Sequence, residues 1–500
     1  MKFWKKESNA PQPERGKTFA WGRHQLEEAE ATGHFLAVAA SGGGKSTLLQ
    51  LLMQSCLGDV GIEADTRALI YDHKQDILPL LRAIAPHAKV VTSHPFDERG
   101  AAWNISRDVT NPAIALETAR TLFPETQESQ PFFADASRHL LYGVILSFIL
   151  TGTPWTFASL IRVMQSARLI RRVLRKHAVT RSIEREYFGE DRTAANIMST
   201  VATKLLPFSN IAAAWETASD SFSIEDWVRE NWILVLGNYE TGRMAIDAVN
   251  RCLFKRASDL VLNQSNSFTR RTWFLWDELS EAGKLDGLVS LMKKGRSKGA
   301  CCVLAFQSIQ GLRHHALYGR EQTDEILGQI ANRWIGRLEC VETAEWASQL
   351  FGDQEFEEES VSESTGAGGK SRSVSRHRTT RRLVLPSEFL DIEPCNKENG
   401  LSGYYIVRSH GSYFDKLEGA DLWGNSLVAP RADVPEFVAR PSRSMLLEPW
   451  SVAEDATFCT PRKERERAEP RETPEQSPHE RPTPPSTTDK NLDDLDAHFQ

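Results

Sequence analysis

The stretch HFLAVAASGGGKSTLLQLLM, residues 34–53, decides the fold. An apolar run ends in a string of glycines and continues as a helix-forming segment, so the local reading is strand, tight loop, helix. The loop follows the phosphate-binding pattern G-x-x-x-x-G-K-[ST] at Gly44, Lys45 and Ser46, but Ala39 stands where the first glycine is expected. In such a loop the backbone N–H groups of Gly42 to Ser46 would cradle phosphates at the N-terminus of the following helix. Lys45 would neutralise the β and γ phosphates of ATP, and Ser46 would ligate Mg²⁺. The first glycine serves the turn out of the strand, and alanine can replace it unless that residue needs a positive φ. A negative φ is expected at Ala39.

Working outward, TRALIYDHKQDILPLLRAI repeats the strand-then-helix logic, its apolar run ending in Asp72, and AKVVTSHPFD supplies a further short strand. After a long helical interval, WILVLG (232–237), TWFLWDE (272–278), GACCVLAFQS (299–308) and NRWIGRL (332–338) return as short buried strands separated by helix-length segments. Strands alternating with helices predict an α/β fold with a mostly parallel, covered central sheet.

RTWFLWDEL delivers two carboxylates, Asp277 and Glu278, to the C-terminal end of a buried strand, the end at which ligands bind in open α/β sheets. Asp277 would hold Mg²⁺ through water, and Glu278 would act as base or orienter for an attacking water. An Asp-Glu pair at a strand end is by itself commonly just solvated; together with the Lys45 loop it points to one site. Downstream, Arg296 precedes the next strand and Gln307 ends it. Gln307 would sense a γ-phosphate or would merely terminate the strand.

At 500 residues and 40% hydrophobic content, the chain has material for two or three domains. The net charge of −7 gives no overall field that attracts a polyanion, so any nucleic-acid surface has to be a local patch. Seven cysteines without a CxxC pair fit a reducing, cytoplasmic setting. MKFWKKESNAPQPERG lacks the apolar core of a signal peptide, and LLYGVILSFIL (140–150) is short for a bilayer, so no membrane anchor is expected. The thirteen tryptophans, Trp273, Trp276 and Trp334 among them, read as core residues rather than base-stacking platforms.

The segmentation that follows is a polar N-terminal stretch (1–20), a nucleotide-binding domain in two pieces (21–109 and 216–429), an all-α insertion (110–215) and a disordered Pro- and charge-rich tail (430–500). The run 353–382, acidic in its first half and basic in its second, reads as a mobile surface loop. In the helical insertion, Arg168, Arg171, Arg172, Arg175 and Lys176 fall on one segment and would engage DNA phosphates, or form an ordinary solvated face. The last residues, NLDDLDAHFQ, would dock on a partner through Leu492, Leu495 and Phe499, or do nothing.

The stretch FLWDELSEAGKLDGLVSLMKKGRSKGACCVLAFQSIQGLRHHALYGREQTDEILGQIANRWIGRL, with FAWGRHQL, LIYDHKQD, HPFDERGAAWN, FFADASRHLL and LVLPSEF in order around it, resembles the coupling proteins of conjugation and type IV secretion. These are the TraD/TraG group of the FtsK/HerA superfamily, and the resemblance spans about residues 19–427. It implies a RecA-like domain interrupted by an all-helical one, assembled as a homohexamer around DNA with ATP bound between neighbours. Carried over by position, the phosphate loop is Ser41, Gly42, Gly43, Gly44, Lys45, Ser46 and Thr47. The acidic pair is Asp277 and Glu278, the strand-end glutamine is Gln307, and Arg296 is the arginine offered to a neighbour's ATP. The two N-terminal transmembrane helices typical of membrane-bound relatives do not precede this stretch.

The function expected is an ATP-driven, hexameric motor that pumps DNA without sequence preference as a conjugative coupling protein. A relaxase and the channel proteins of a type IV secretion system would be its partners, and it would be cytoplasmic or peripheral at the inner membrane. Two alternatives stay open: a HerA-like translocase of repair or phage defence, and a nucleotide-binding adaptor that moves nothing.

Overall fold

The computed structural model describes residues 17–62, 65–125, 131–366 and 369–459, with the side chains of 362–373 left aside. The strands of its central sheet, numbered here in chain order, are β1 (Phe35–Val38), β2 (Thr66–Asp72), β3 (Val90–Ser93), β4 (Ile233–Gly237), β5 (Arg271–Trp276), β6 (Ala300–Phe306), β7 (Asn332–Ile335), β8 (Leu401–Val407) and β9 (Gly411–Leu417). They lie side by side in the order β9-β8-β7-β1-β6-β5-β2-β4-β3. From β7 to β3 every pairing is parallel, while β8 and β9 add an antiparallel edge.

The expected strands are all present, and the central ones are apolar on both faces. In β1, Leu36 and Val38 enter one core and Phe35 and Ala37 the other; in β5, Phe274 and Trp276 oppose Trp273 and Leu275. A strand buried on both sides reads as a continuous apolar run, which is what the sequence shows. At the start of β1, His34 takes a φ of 60°. Its buried ring bonds the Met292 carbonyl (3.0 Å) and accepts the Cys302 N–H (3.1 Å), tying β1 to β6. Burial holds its pKa down at about 4, so the ring is neutral.

One face of the sheet carries the helix Lys45–Leu57, the helix Ile77–Ile84 and a hairpin, Thr18–Trp21 with His24–Glu27. Phe19 and Trp21 of that hairpin are fully buried, Phe19 edge-on to Trp273, so the folded chain already includes the end of the segment expected to be a polar lead-in.

The other face carries the helices that intervene between β3 and β4. Their starts are legible: Asn111 caps Pro112–Leu122 with Pro at the first turn, and Thr156 and Ser166 cap Phe157–Met164 and Ala167–Leu174. Where the chain enters and leaves this block, Ala102–Trp103 pairs with Ser221–Phe222. Pro131–Thr151 is the one described helix long and apolar enough to cross a membrane; it is mostly buried at the centre of the block. One apolar cluster runs from Leu36, Leu234 and Trp276 of the sheet to Val144, Phe148 and Val173 in the block.

Two expectations are corrected. The described residues of the run 353–382 are not a loop: Asp353–Gly366 and Gly369–Arg382 form a two-stranded antiparallel ribbon. Its register sets the acidic strand against the basic one, Asp353 on Arg382 (3.0 Å) and Glu359 on Arg376 (2.8 Å). Each such exposed pair contributes little; their complementarity still selects this register over a slipped one.

The segment 430–459, expected to be disordered, is folded onto the protein. Arg440 is buried and donates to the carbonyls of Pro95, Asp97 and Gly100. Phe437 stacks on Tyr239, and the helix Val452–Phe458, capped by Ser451, lays Phe458 against Phe148 with ring centroids 4.5 Å apart. Average composition hid this because a few apolar and charged anchors find partners that exist only in the folded protein. Residues 460–500, including NLDDLDAHFQ, lie outside the described residues. Phe458→Ala is therefore expected to lower stability by about 3 kcal/mol in denaturant unfolding; a detached tail would give no change.

Candidate functional site: a phosphate loop facing two carboxylates

β1 runs into the loop 39–44 and the helix Lys45–Leu57. Ala39 is buried and is not among the residues with positive φ, which among the described residues and apart from glycines are His34, Asp65 and Gln75. The turn therefore does not need a glycine there. The left-handed geometry falls instead on Gly42 (φ 72°) and Gly44 (φ 95°). A Cβ on Gly44 would sit 2.3 Å from Leu401 Cδ1, and one on Gly43 would sit 2.9 Å from the Ala39 Cβ. The loop is further pinned by Ala40 N–H to the Arg337 carbonyl (2.8 Å) and by Cys395 N–H to the Gly42 carbonyl (2.9 Å).

β5 lies two places from β1 and its C-terminal end delivers Asp277 and Glu278 to the loop. Lys45 Nζ donates to Glu278 Oε2 at 2.7 Å, although the two residues are 233 positions apart. Both are buried, and Ser280 Oγ donates to the other Glu278 oxygen at 2.7 Å. Ser46 Oγ lies 3.2 Å from Asp277 Oδ2, whereas Asp277 Oδ1 is buried without a hydrogen-bond partner. A glycine cradle that excludes Cβ atoms, a lysine at its floor, and a hydroxyl beside a carboxylate with one oxygen unspent fit a phosphate chain with a divalent cation.

Thr47 follows on the helix, with Cys395 Sγ 3.8 Å from its hydroxyl, and Ser41 and Gly42 are exposed at the loop's mouth. Gln307 is exposed just beyond β6, whose Phe306 pairs with Val38 of β1, so it borders the loop. Arg296 is elsewhere. It follows the helix Leu288–Gly295 and precedes β6, which puts it at the opposite end of the parallel sheet, on an open groove of about 1670 Å³ lined also by Lys294, Lys298 and Phe268.

The five basic residues of the helical block do not form a free patch. Arg171 and Arg175 both bind Glu184, at 3.0 and 2.7 Å. Arg172 grips Asp455 (2.9 Å from Nη2 to Oδ2), and Lys176 donates to the Thr457 carbonyl. Arg168 and Arg175 are the exposed members of the set. The segment 430–459 takes up two of the charges, Arg172 and Lys176, that sequence spacing alone left facing solvent.

Sequence reasoning assigned no role to the turn after β2, which pairs with β5 through Tyr71 and Trp276. The buried Asp72 carboxylate accepts the N–H groups of Gln75 (2.9 Å), Asp76 and Ile77 (3.3 Å each). Burial, aided by Asp76, raises its pKa to about 6 against those bonds. Burial also lowers the pKa of His73. Lys74 reaches Asp277 Oδ2 at 3.2 Å. A cavity of about 290 Å³, lined by Ser46, Lys74, Asp76, Asp277, Pro430 and Glu436, opens beside them. The cluster of ionisable residues in DHKQD at a strand end was the available signal.

Fold and site define a P-loop α/β protein of the RecA-like kind. Within that class the chain belongs to the type IV secretion-system coupling proteins: the family model described as the type IV secretion-system coupling protein DNA-binding domain matches residues 21–404. It is 24% identical over 310 residues to coupling protein TraD of Escherichia coli, an alignment covering 60% of this chain and 42% of TraD. It is 28% identical over 188 residues to conjugal transfer protein TraG of Agrobacterium fabrum, covering 38% of this chain and 28% of TraG. The chain thus spans less than half the length of these relatives. Among solved structures, the bacterial conjugative coupling protein TrwBdeltaN70 in an unbound form superposes with a TM-score of 0.64 at 20% identity, covering 86% of this chain and 92% of that one. TrwB in complex with ADP and Mg²⁺ gives 0.61 at 20% identity, covering 85% and 93%.

Gly44→Ala is expected to cost about 1–3 kcal/mol in denaturant unfolding, since it combines a left-handed φ with a clash. Ala39→Gly should change stability by about 1 kcal/mol or less. The reverse ranking would mean that the turn strain lies at residue 39.

Proposed function

We propose that this chain is the ATP-hydrolysing motor of a coupling protein, which moves DNA without sequence preference in conjugation or type IV secretion. The observation that carries the reading is the meeting of Lys45 and Ser46 with Glu278 and Asp277. Family membership supports it, and so do the TrwB complexes with ADP and Mg²⁺ and with a non-hydrolysable ATP analogue.

On this reading the N–H groups of Gly42 to Ser46 hold the phosphates, and Lys45 exchanges Glu278 for the β and γ oxygens. That exchange releases Glu278, still held by Ser280, to orient the attacking water and take its proton. Mg²⁺, held by Ser46 and through water by Asp277, would supply charge neutralisation on the phosphates. Gln307 borders the γ position.

Arg296 lies at the far end of the sheet, away from its own chain's phosphate loop, which supports the reading that it is offered to a neighbour's ATP. On this reading hydrolysis depends on assembly, with each Arg296 offered to the next copy's phosphate loop in a homohexameric ring around DNA. Relaxase and secretion-channel components would be its partners, with the motor acting on the cytoplasmic side of the inner membrane.

Lys45→Ala should reduce DNA-stimulated ATP turnover by at least about 100-fold. Glu278→Gln should bind ATP and fail to hydrolyse it. Turnover measured with single-stranded and duplex DNA checks both, and undiminished activity in the two variants would exclude this site. Mixing Lys45→Ala subunits with Arg296→Ala subunits should recover part of the activity, because some interfaces then pair an intact loop with an intact arginine. No recovery at any ratio argues against action in trans.

A further inference from the structure

The positive charges at the phosphate loop are not arranged alike. Lys45 is buried and committed to Glu278. Lys74 is half-exposed and stands between the two groups that would take the metal: its Nζ lies 3.2 Å from Asp277 Oδ2 and 3.4 Å from Ser46 Oγ. These two oxygens are themselves 3.2 Å apart. One ammonium therefore touches both.

Its position is built rather than incidental. Lys74 projects from a turn whose backbone is held by three N–H groups on the Asp72 carboxylate, with Gln75 at a φ of 63°. β2 and β5 are hydrogen-bonded neighbours, so the turn after one strand lies beside the carboxylate after the other. The cavity next to Lys74 offers it another place to go, since Asp76 and Glu436 line the same space.

We propose that Lys74 is a positioning residue that stands in for the divalent cation, holding Ser46 and Asp277 in metal-ready geometry, and that it withdraws towards Asp76 and Glu436 when the cation enters. This rests on the nucleotide-site reading above. The physical reason is exclusion: an ammonium and a divalent ion cannot share Asp277 Oδ2 without strong repulsion, and an uncompensated Asp277 beside Glu278 would be costly while the site is empty. Lys74 consequently competes with the metal and sets the cation concentration at which nucleotide is captured.

The test is a Mg²⁺ titration of fluorescent ADP and ATP analogue binding to the full chain, with no turnover measured. In Lys74→Met the Mg²⁺ midpoint should fall roughly tenfold for both nucleotides, the effect of removing one unit charge a few ångströms from a divalent ion in a site open to water. Lys74→Gln should shift likewise and Lys74→Arg should stay close to the parent protein. A midpoint that is unchanged in Lys74→Met, or that rises, overturns the proposal; a rise seen only with the ATP analogue would assign Lys74 to the γ-phosphate instead. If the parent protein binds neither nucleotide at any Mg²⁺ concentration, the nucleotide-site reading falls and this proposal with it. Binding by the parent with no shift in the variant sinks this proposal alone.

Discussion

The buried contact between Lys45 and Glu278 is the constraint around which the rest is organised. A lone buried charge of either sign would cost several kcal/mol, so each residue needs the other wherever no phosphate is present. To bring them together, the loop after β1 and the end of β5 have to lie on the same edge of one parallel sheet. The strand order at its centre, β1-β6-β5-β2, meets that requirement and also sets the positions of Asp277, Gln307 and the Asp72 turn. The long apolar strands give the sheet its rigidity and bring the carboxylates to this edge; the ion pair ties them to the loop once they are there.

The same pair gives the site a chemical logic. While Lys45 holds Glu278, the carboxylate that would activate water on the proposed reading is neutralised. Phosphate would then compete for the lysine, and its binding and the release of the base would be a single exchange of partners. Asp277, with one oxygen shared by Ser46 and Lys74 and the other unspent, is a second place where charge waits for a partner.

Outside the sheet, the segment 430–459 carries the clearest structural consequence. It starts at the cavity beside Ser46 and Asp277, through Pro430 and Glu436, and ends on the helical block through Asp455 and Phe458. One stretch of chain thus touches both the phosphate-loop region and the helices, and it takes up Arg172 and Lys176 on the way. Arg162, buried between Glu216 and Glu454, is a further anchor of the same strap.

By itself the sequence determined whatever depends on short-range pattern. Two-sided apolar runs such as FLAV and RTWFLW read as buried strands, the glycines before Lys45 as a tight loop, and Asp277 and Glu278 as the end of a strand. Even the Ala39 question was local, because a residue that needs no positive φ needs no glycine. Only the tertiary structure decided which distant charges meet. Glu184 claims Arg171 and Arg175, the strap claims Arg172 and Lys176, and the acidic strand 353–366 folds back on the basic strand 369–382. Lys74 became part of the site the same way, through the pairing of β2 with β5. Hydrophobic periodicity is written along the chain, whereas a charge has no preferred neighbour until folding brings one within a few ångströms.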